Sequence, residues 1–164
     1  MGYTNLYLVP KDPEYAPPAD AIPRLAARIA KWTEENAIPS DPSTELSERP
    51  MYFGTVPETL PCPSCGSTVD LSDEELDEWA YEFRNSLWTA RDARNLVIHM
   101  PCCQATLKAG ELPLESRRRW SEAHYARFAV YVHDVRDDEF SPEELQEFGA
   151  LLGCELHQFT ESGT

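Results

Sequence analysis

Residues Tyr3 to Val9 alternate Thr4, Leu6 and Leu8 with Tyr3, Asn5, Tyr7 and Val9. That period of two predicts a strand with apolar groups on both faces. Pro10, Pro13, Pro17 and Pro18 then stiffen the chain. Asp20 is placed to cap a helix running to about Asn36, with Pro23 tolerated in its first turn. Ile22, Leu25, Ala26, Ile29 and Trp32 recur at helical spacing and predict one buried stripe. Residues 38–50, rich in Pro, Ser, Asp and Glu, read as loop, and a second strand is expected over Met51 to Val56.

The far end repeats this order. In Ala126 to Val135, Phe128, Val130 and Val132 alternate with Tyr131, His133 and Val135, which predicts a strand. After the acidic turn Asp137-Asp138-Glu139, Ser141-Pro142-Glu143-Glu144 has the form of a capping box with proline at the first helical position. Leu145, Phe148 and Leu152 give that helix its apolar stripe, Gly153 suits its end, and Cys154 to Phe159 reads as a short last strand.

Strand-helix-strand at both ends around a cysteine-bearing middle predicts the α+β class. The expected form is a split βαβ, or ferredoxin-like, sheet interrupted by a zinc-ribbon-like insertion with its own helix. The chain is read as one domain, 1–164, with residues 60–107 as an inserted zinc-binding subdomain. In the insertion, Ser72 and Glu75 are spaced as a capping box, and Leu76, Trp79, Ala80, Phe83 and Leu87 line one helical face. The start of that helix is densely acidic: Asp70, Asp73, Glu74, Glu75, Asp77, Glu78 and Glu82. Carboxylates there are favoured by the helix dipole, and they also suit a basic partner.

Charge narrows the classes of partner. Fourteen Lys and Arg against 29 Asp and Glu leave a formal charge of −15. Such a field repels nucleic acid, whose nonspecific affinity comes from cations displacing counterions; it would draw in a basic protein, although on charge alone acidity that only maintains solubility is the simpler reading. No segment approaches the roughly 20 apolar residues of a membrane span. The first residues show no secretory pattern, and Leu6 stands where a myristoylation motif places Ser or Thr. A cytoplasmic location is the expectation.

Chemistry concentrates in the cysteines. Cys62-Pro63-Ser64-Cys65-Gly66 has the spacing that aims two thiolates at one ion about 2.3 Å away. One pair does not close a tetrahedral site, and the second group arrives as His99-Met100-Pro101-Cys102-Cys103. Two closures are open. Either Cys102 and Cys103 both ligate, which demands a turn because adjacent residues on a strand point apart, or His99 and Cys102 ligate and Cys103 does not. A thioredoxin-like redox pair is a rival, but such a motif starts a helix after a strand and lacks a second cysteine cluster. Four thiolates leave no position for activated water, so the expected cofactor is one structural zinc ion.

The remaining candidates are weaker. Cys154 reads as a small buried hydrophobe, and His124, His133 and His157 fall in no recognisable catalytic pattern. Arg117-Arg118-Arg119-Trp120 is a basic cluster more consistent with internal ion pairs than with a nucleic-acid site.

The chain resembles a family of uncharacterised bacterial zinc-ribbon-containing proteins. The resemblance rests on Tyr7-Leu8-Val9-Pro10, Cys62-Pro63-Ser64-Cys65, Pro101-Cys102-Cys103, Tyr125-Ala126-Arg127-Phe128 and Leu151-Leu152-Gly153. It implies that Cys102 and Cys103 serve together, so that the metal ligands are Cys62, Cys65, Cys102 and Cys103. It brings no activity. The sequence departs from a zinc knuckle at Gln104, where glycine is common.

The leading functional expectation is a non-enzymatic interaction protein, an acidic immunity-type inhibitor or adaptor for a basic protein in a bacterial cytoplasm. An enzyme, or enzyme accessory, with a cleft near Tyr3, Tyr7, Tyr131, His133 and His157 is the alternative. A nucleic-acid-binding ribbon is the third; it requires Arg84, Arg91, Arg94 and Arg117 to Arg119 to converge.

Overall fold

The computed structural model describes residues 3–114, 124–136 and 138–163. The chain is a mixed α and β structure with three α-helices and a four-stranded antiparallel sheet among those residues. It forms two compact units, one of Met1–Glu48 with Ala126–Thr164 and the other of Arg49–Tyr125. The second contains the 60–107 stretch. The Arg117-Arg118-Arg119-Trp120 cluster and Asp137 lie outside the described residues. No helix among the described residues is long and apolar enough to cross a membrane.

The large sheet is built from β1 (Tyr3–Pro10), β2 (Ser43–Tyr52), β7 (Tyr125–Val132) and β8 (Leu156–Gly163), in the order β2-β7-β1-β8. In β1, Leu6 and Leu8 stand opposite Val132 and Val130 of antiparallel β7. Helices α1 (Ala21–Glu35) and α3 (Pro142–Leu152) contribute Leu25, Ile29, Trp32, Phe148 and Leu152 to a core with Leu6, Leu8, Phe128, Val130 and Val132. The alternation in the terminal strands therefore selects one face for the helices, as a period of two requires.

Strand β2 is longer and earlier than its hydrophobicity predicts, running through Ser-Thr-Glu-Leu-Ser-Glu-Arg rather than starting at Met51. It is an edge strand, so half its backbone and much of its side-chain surface face water, and polar residues are tolerated there. Pro50 fits for the same reason, because an edge strand has backbone amides with no ladder partner.

Helix α3 begins as its sequence predicts. Ser141 Oγ accepts from Glu144 N at 3.1 Å, and Glu144 Oε1 accepts from Ser141 N at 2.8 Å. Gly153 closes it with φ of 80°, the left-handed region. The start of α1 differs. Asp20 occupies the cap position without a side-chain cap bond, and its carboxylate instead pairs with Arg24 at 3.5 Å.

Among its described residues the second unit contains two short hairpins and one α-helix. Hairpin β3–β4 pairs Thr59–Pro61 with Thr68–Asp70, and hairpin β5–β6 pairs Val97–His99 with Thr106–Lys108. Helix α2 (Asp77–Thr89) buries Ala80, Phe83 and Leu87 in a core shared with Leu60, Val69, Ile98 and Met100. The cap ahead of this helix is shifted by one residue from Ser72. Asp73 accepts from Glu75 N at 3.0 Å, opening a 3-10 turn over Glu74–Leu76. Ser72 is committed elsewhere: its hydroxyl and its backbone amide both donate to Asp70 Oδ1, which holds that carboxyl below its usual range.

Ser141→Ala is expected to cost about 1 kcal/mol of stability through loss of the cap. Urea denaturation of the first unit, followed by the fluorescence of Trp32, measures it.

Candidate metal centre

The two hairpin turns are built alike, residue for residue. In the first, Cys62 N donates to Ser67 O at 2.8 Å and Gly66 N to Cys62 O at 2.8 Å. In the second, Met100 N donates to Ala105 O at 2.9 Å and Gln104 N to Met100 O at 3.0 Å. Superposing the patterns matches Cys62 with Met100, Pro63 with Pro101, Ser64 with Cys102, Cys65 with Cys103 and Gly66 with Gln104. The second turn therefore carries a fully buried methionine where the first carries a cysteine, and a cysteine where the first carries a serine. This is how adjacent cysteines come to lie on one side: Pro101 to Cys103 form a turn, not extended chain.

The turns need a left-handed residue after the second cysteine. Gly66 has φ of 78° and Gln104 has φ of 64°. A Cβ built on Gly66 meets nothing within 4 Å, so any side chain there is opposed by the backbone alone. The glutamine departs from the usual residue type while keeping the conformation.

The geometry brings Cys62, Cys65, Cys102 and Cys103 together, with their sulfurs all within 4.8 Å of one another. Cys65 and Cys102 are 3.4 Å apart, and Cys62 and Cys103 3.9 Å. Bonds of 2.3 Å to a tetrahedral ion place sulfurs about 3.8 Å apart. The four thiols could hold a metal ion at that size. Cys62 is buried and the other three are exposed, so the group lies at the surface.

His99 is not part of this group. Its Nδ1 and Thr106 Oγ1 are 3.2 Å apart across β5–β6, and its carbonyl accepts from Trp79 Nε1 at 2.8 Å. Ser67 and Met100, which the sequence reading passes over, belong to the centre's surroundings. The Ser67 hydroxyl and then its amide bring Cys65 down to about 6. Cys102 is pushed up to about 12, first by desolvation and then by its neighbouring thiols.

The remaining candidates are dispersed. Tyr7, Tyr131, His133, His157 and Phe159 share one sheet face in the first unit. Tyr7 stacks on Phe159 at 5.0 Å and lies 5.8 Å from Tyr131, and His133 and His157 meet Tyr131 and Phe159 edge-on. Their polar atoms are engaged within the sheet: Tyr7 donates to Glu161 at 3.0 Å, and His133 Nδ1 is 3.0 Å from Asn5 Oδ1. The side chain of Tyr3 lies outside the described residues. Cys154 is half-buried beside a cavity of about 640 Å³ lined also by Leu145, Gly149 and Gly153. Burial, and then Asp12, pushes its thiol up to about 11, so it is protonated at neutral pH. In the second unit, His124 and Tyr125 are buried around Tyr52, and desolvation raises the Tyr125 phenol strongly. Arg84 and Arg94 are half-buried and Arg91 exposed.

No protein-family model, curated protein or solved structure matches the chain.

Gly66→Ala is expected to destabilise the first turn by about 1 kcal/mol, and Gln104→Gly to stabilise the second by about 0.5–1 kcal/mol. Denaturation of the metal-loaded variants, compared with the parent chain, gives both signs.

Proposed function

We propose that Cys62, Cys65, Cys102 and Cys103 bind one zinc ion that clamps the two hairpins together, and that the protein is a non-enzymatic interaction protein for a basic partner. The single observation that carries the reading is the convergence of four sulfurs from two distant turns to within 4.8 Å of one another, with two of the pairs at 3.4 and 3.9 Å. Thiolates are soft donors and select zinc, iron–sulfur or cuprous ions among biological metals. Zinc suits a closed set of four thiolates with no functional demand for redox change, and a closed set offers no coordination position to a substrate.

The need for a clamp follows from size. Each hairpin has strands of only three residues, and a two-stranded hairpin is marginal in water even when longer. A metal that joins both turns supplies binding energy to the fold of the second unit. The first unit supports the ferredoxin-like reading: strand-helix-strand occurs twice, and antiparallel β7 lies between β2 and β1. Residues 53–124 lie between the second and third strands of that pattern in the chain, which supports their reading as an insertion. The formal charge of −15 supports a basic protein as the partner, for which an immunity-type inhibitor or adaptor is the functional type.

The purified chain is expected to carry about one equivalent of zinc. Cys62→Ser and Cys102→Ser should each release it and lower hydrogen-exchange protection over 59–70 and 97–108. His99→Ala should retain it. Elemental analysis with hydrogen-exchange mass spectrometry tests all three, and iron in place of zinc, or disulfides linking the pairs in a metal-free protein, would refute the assignment.

A further inference from the structure

Helix α2 has a second face that its own core does not use. Ala80, Phe83 and Leu87 point inward and are buried. At helical spacing on the outward side lie Asp77, Tyr81 and Trp88, with Glu78 and Glu82 one residue further round. Tyr81 is 71% exposed and Trp88 47% exposed, two of the most exposed large apolar side chains among the described residues. Trp88 is held in place while exposed, because its Nε1 donates to Gly54 O at 2.9 Å. A solvated helix face is ordinarily polar throughout; here two aromatic rings share it.

The charge on the N-terminal side of Tyr81 is of one sign, whereas Arg84 and Arg91 flank Trp88. Between residues 70 and 82 there are seven carboxylates and no Lys or Arg. Among the described residues, none of the seven meets a cation in an ion pair. The electron-rich face of an aromatic ring attracts cations, and arginine does so best because its planar guanidinium stacks while its N–H groups reach carboxylates at the ring's edge. Tyr81 with Asp77, Glu78 and Glu82 around it offers both halves of that recognition. A nucleic acid brings the same sign of charge and is repelled.

We infer that the outward face of the first half of α2, formed by Asp77, Glu78, Tyr81 and Glu82, is a docking surface for an arginine-rich segment of a partner protein, with Trp88 at its edge. The inference rests on the reading of the chain as an interaction protein with a basic partner, and it names the surface and the chemistry of the contact.

The test uses the full-length, metal-loaded chain, labelled with nitrogen-15, and a synthetic peptide with arginine at alternate positions. Chemical-shift changes are expected to fall on residues 74–89. Tyr81→Ala, which leaves the charge unchanged, should weaken binding about three- to fivefold, and Tyr81→Phe should retain it. Glu78→Gln with Glu82→Gln should weaken it about five- to tenfold, whereas Glu45→Gln with Glu48→Gln, which removes the same charge from exposed positions on β2, should change it less than about twofold. The lysine version of the peptide should bind more weakly than the arginine one.

No binding at low salt, an unaffected Tyr81→Ala variant, or equal losses from the two glutamine pairs would each overturn the surface. Shift changes confined to the first unit would overturn it too, while leaving a basic partner in place. Zinc content measured on the same samples separates this outcome from failure of the metal assignment: full zinc without peptide binding removes the docking face alone, and peptide binding without zinc removes the metal alone.

Discussion

Four sulfurs crowded within 4.8 Å impose the constraint on which the second unit turns. The two exposed partners Cys65 and Cys102 are driven apart in acidity, Cys65 downward by the Ser67 hydroxyl and amide and Cys102 upward by desolvation and then by its neighbouring thiols. A divalent cation reverses the balance by making every thiolate favourable at once. Bound to all four, such a cation would tie a turn at residues 62–66 to one at residues 100–104. The two small hairpins already share a hydrophobic core, and the ion would add a fixed point to it.

The fold supplies that fixed point through backbone hydrogen bonds more than through sequence identity. Both turns close with the same pair of amide-to-carbonyl bonds and the same left-handed residue. Within that frame the first turn has cysteines at its first and fourth positions and the second at its third and fourth, with Met100 buried where the first turn has Cys62. The adjacent cysteines at 102 and 103 are therefore a variant of a two-residue spacing, not an exception to it.

Much of this was legible in the chain because particular residues carry strong local physics. The capping box at Ser141, the left-handed Gly153 and the alternation in Tyr3–Val9 are short-range signals, and the structure has the elements they predict. The cysteine spacing marked one half of the centre outright. Three things were hidden. Strand β2 reads as loop because an edge strand needs little hydrophobicity, and its pairing is decided by β7, far away in the chain. The cap of the acidic helix moved from Ser72 to Asp73 because Asp70 captures Ser72, a competition between neighbours that spacing alone does not resolve. The choice between His99 and Cys103 depends on the direction of side chains in a turn, which is set by the backbone bonds at Met100 and by the pairing of β5 with β6.

The helix bearing the exposed aromatics is tied to this centre by two tryptophans. Trp79 donates to the carbonyl of His99, three residues before Cys102, and stacks on Phe83 at 5.1 Å from ring to ring. Trp88 donates to Gly54, which precedes the first hairpin. Each end of α2 is thus fastened to a segment leading into one of the cysteine turns, and Phe83 and Leu87 pack into the core that includes Cys62 and Met100. A side chain such as Tyr81 presents a defined surface only if the helix beneath it is held still, because ordering a loose helix on binding would subtract from affinity. The acidic, aromatic face is therefore carried on a helix fastened at both ends to the segments that lead into the two turns.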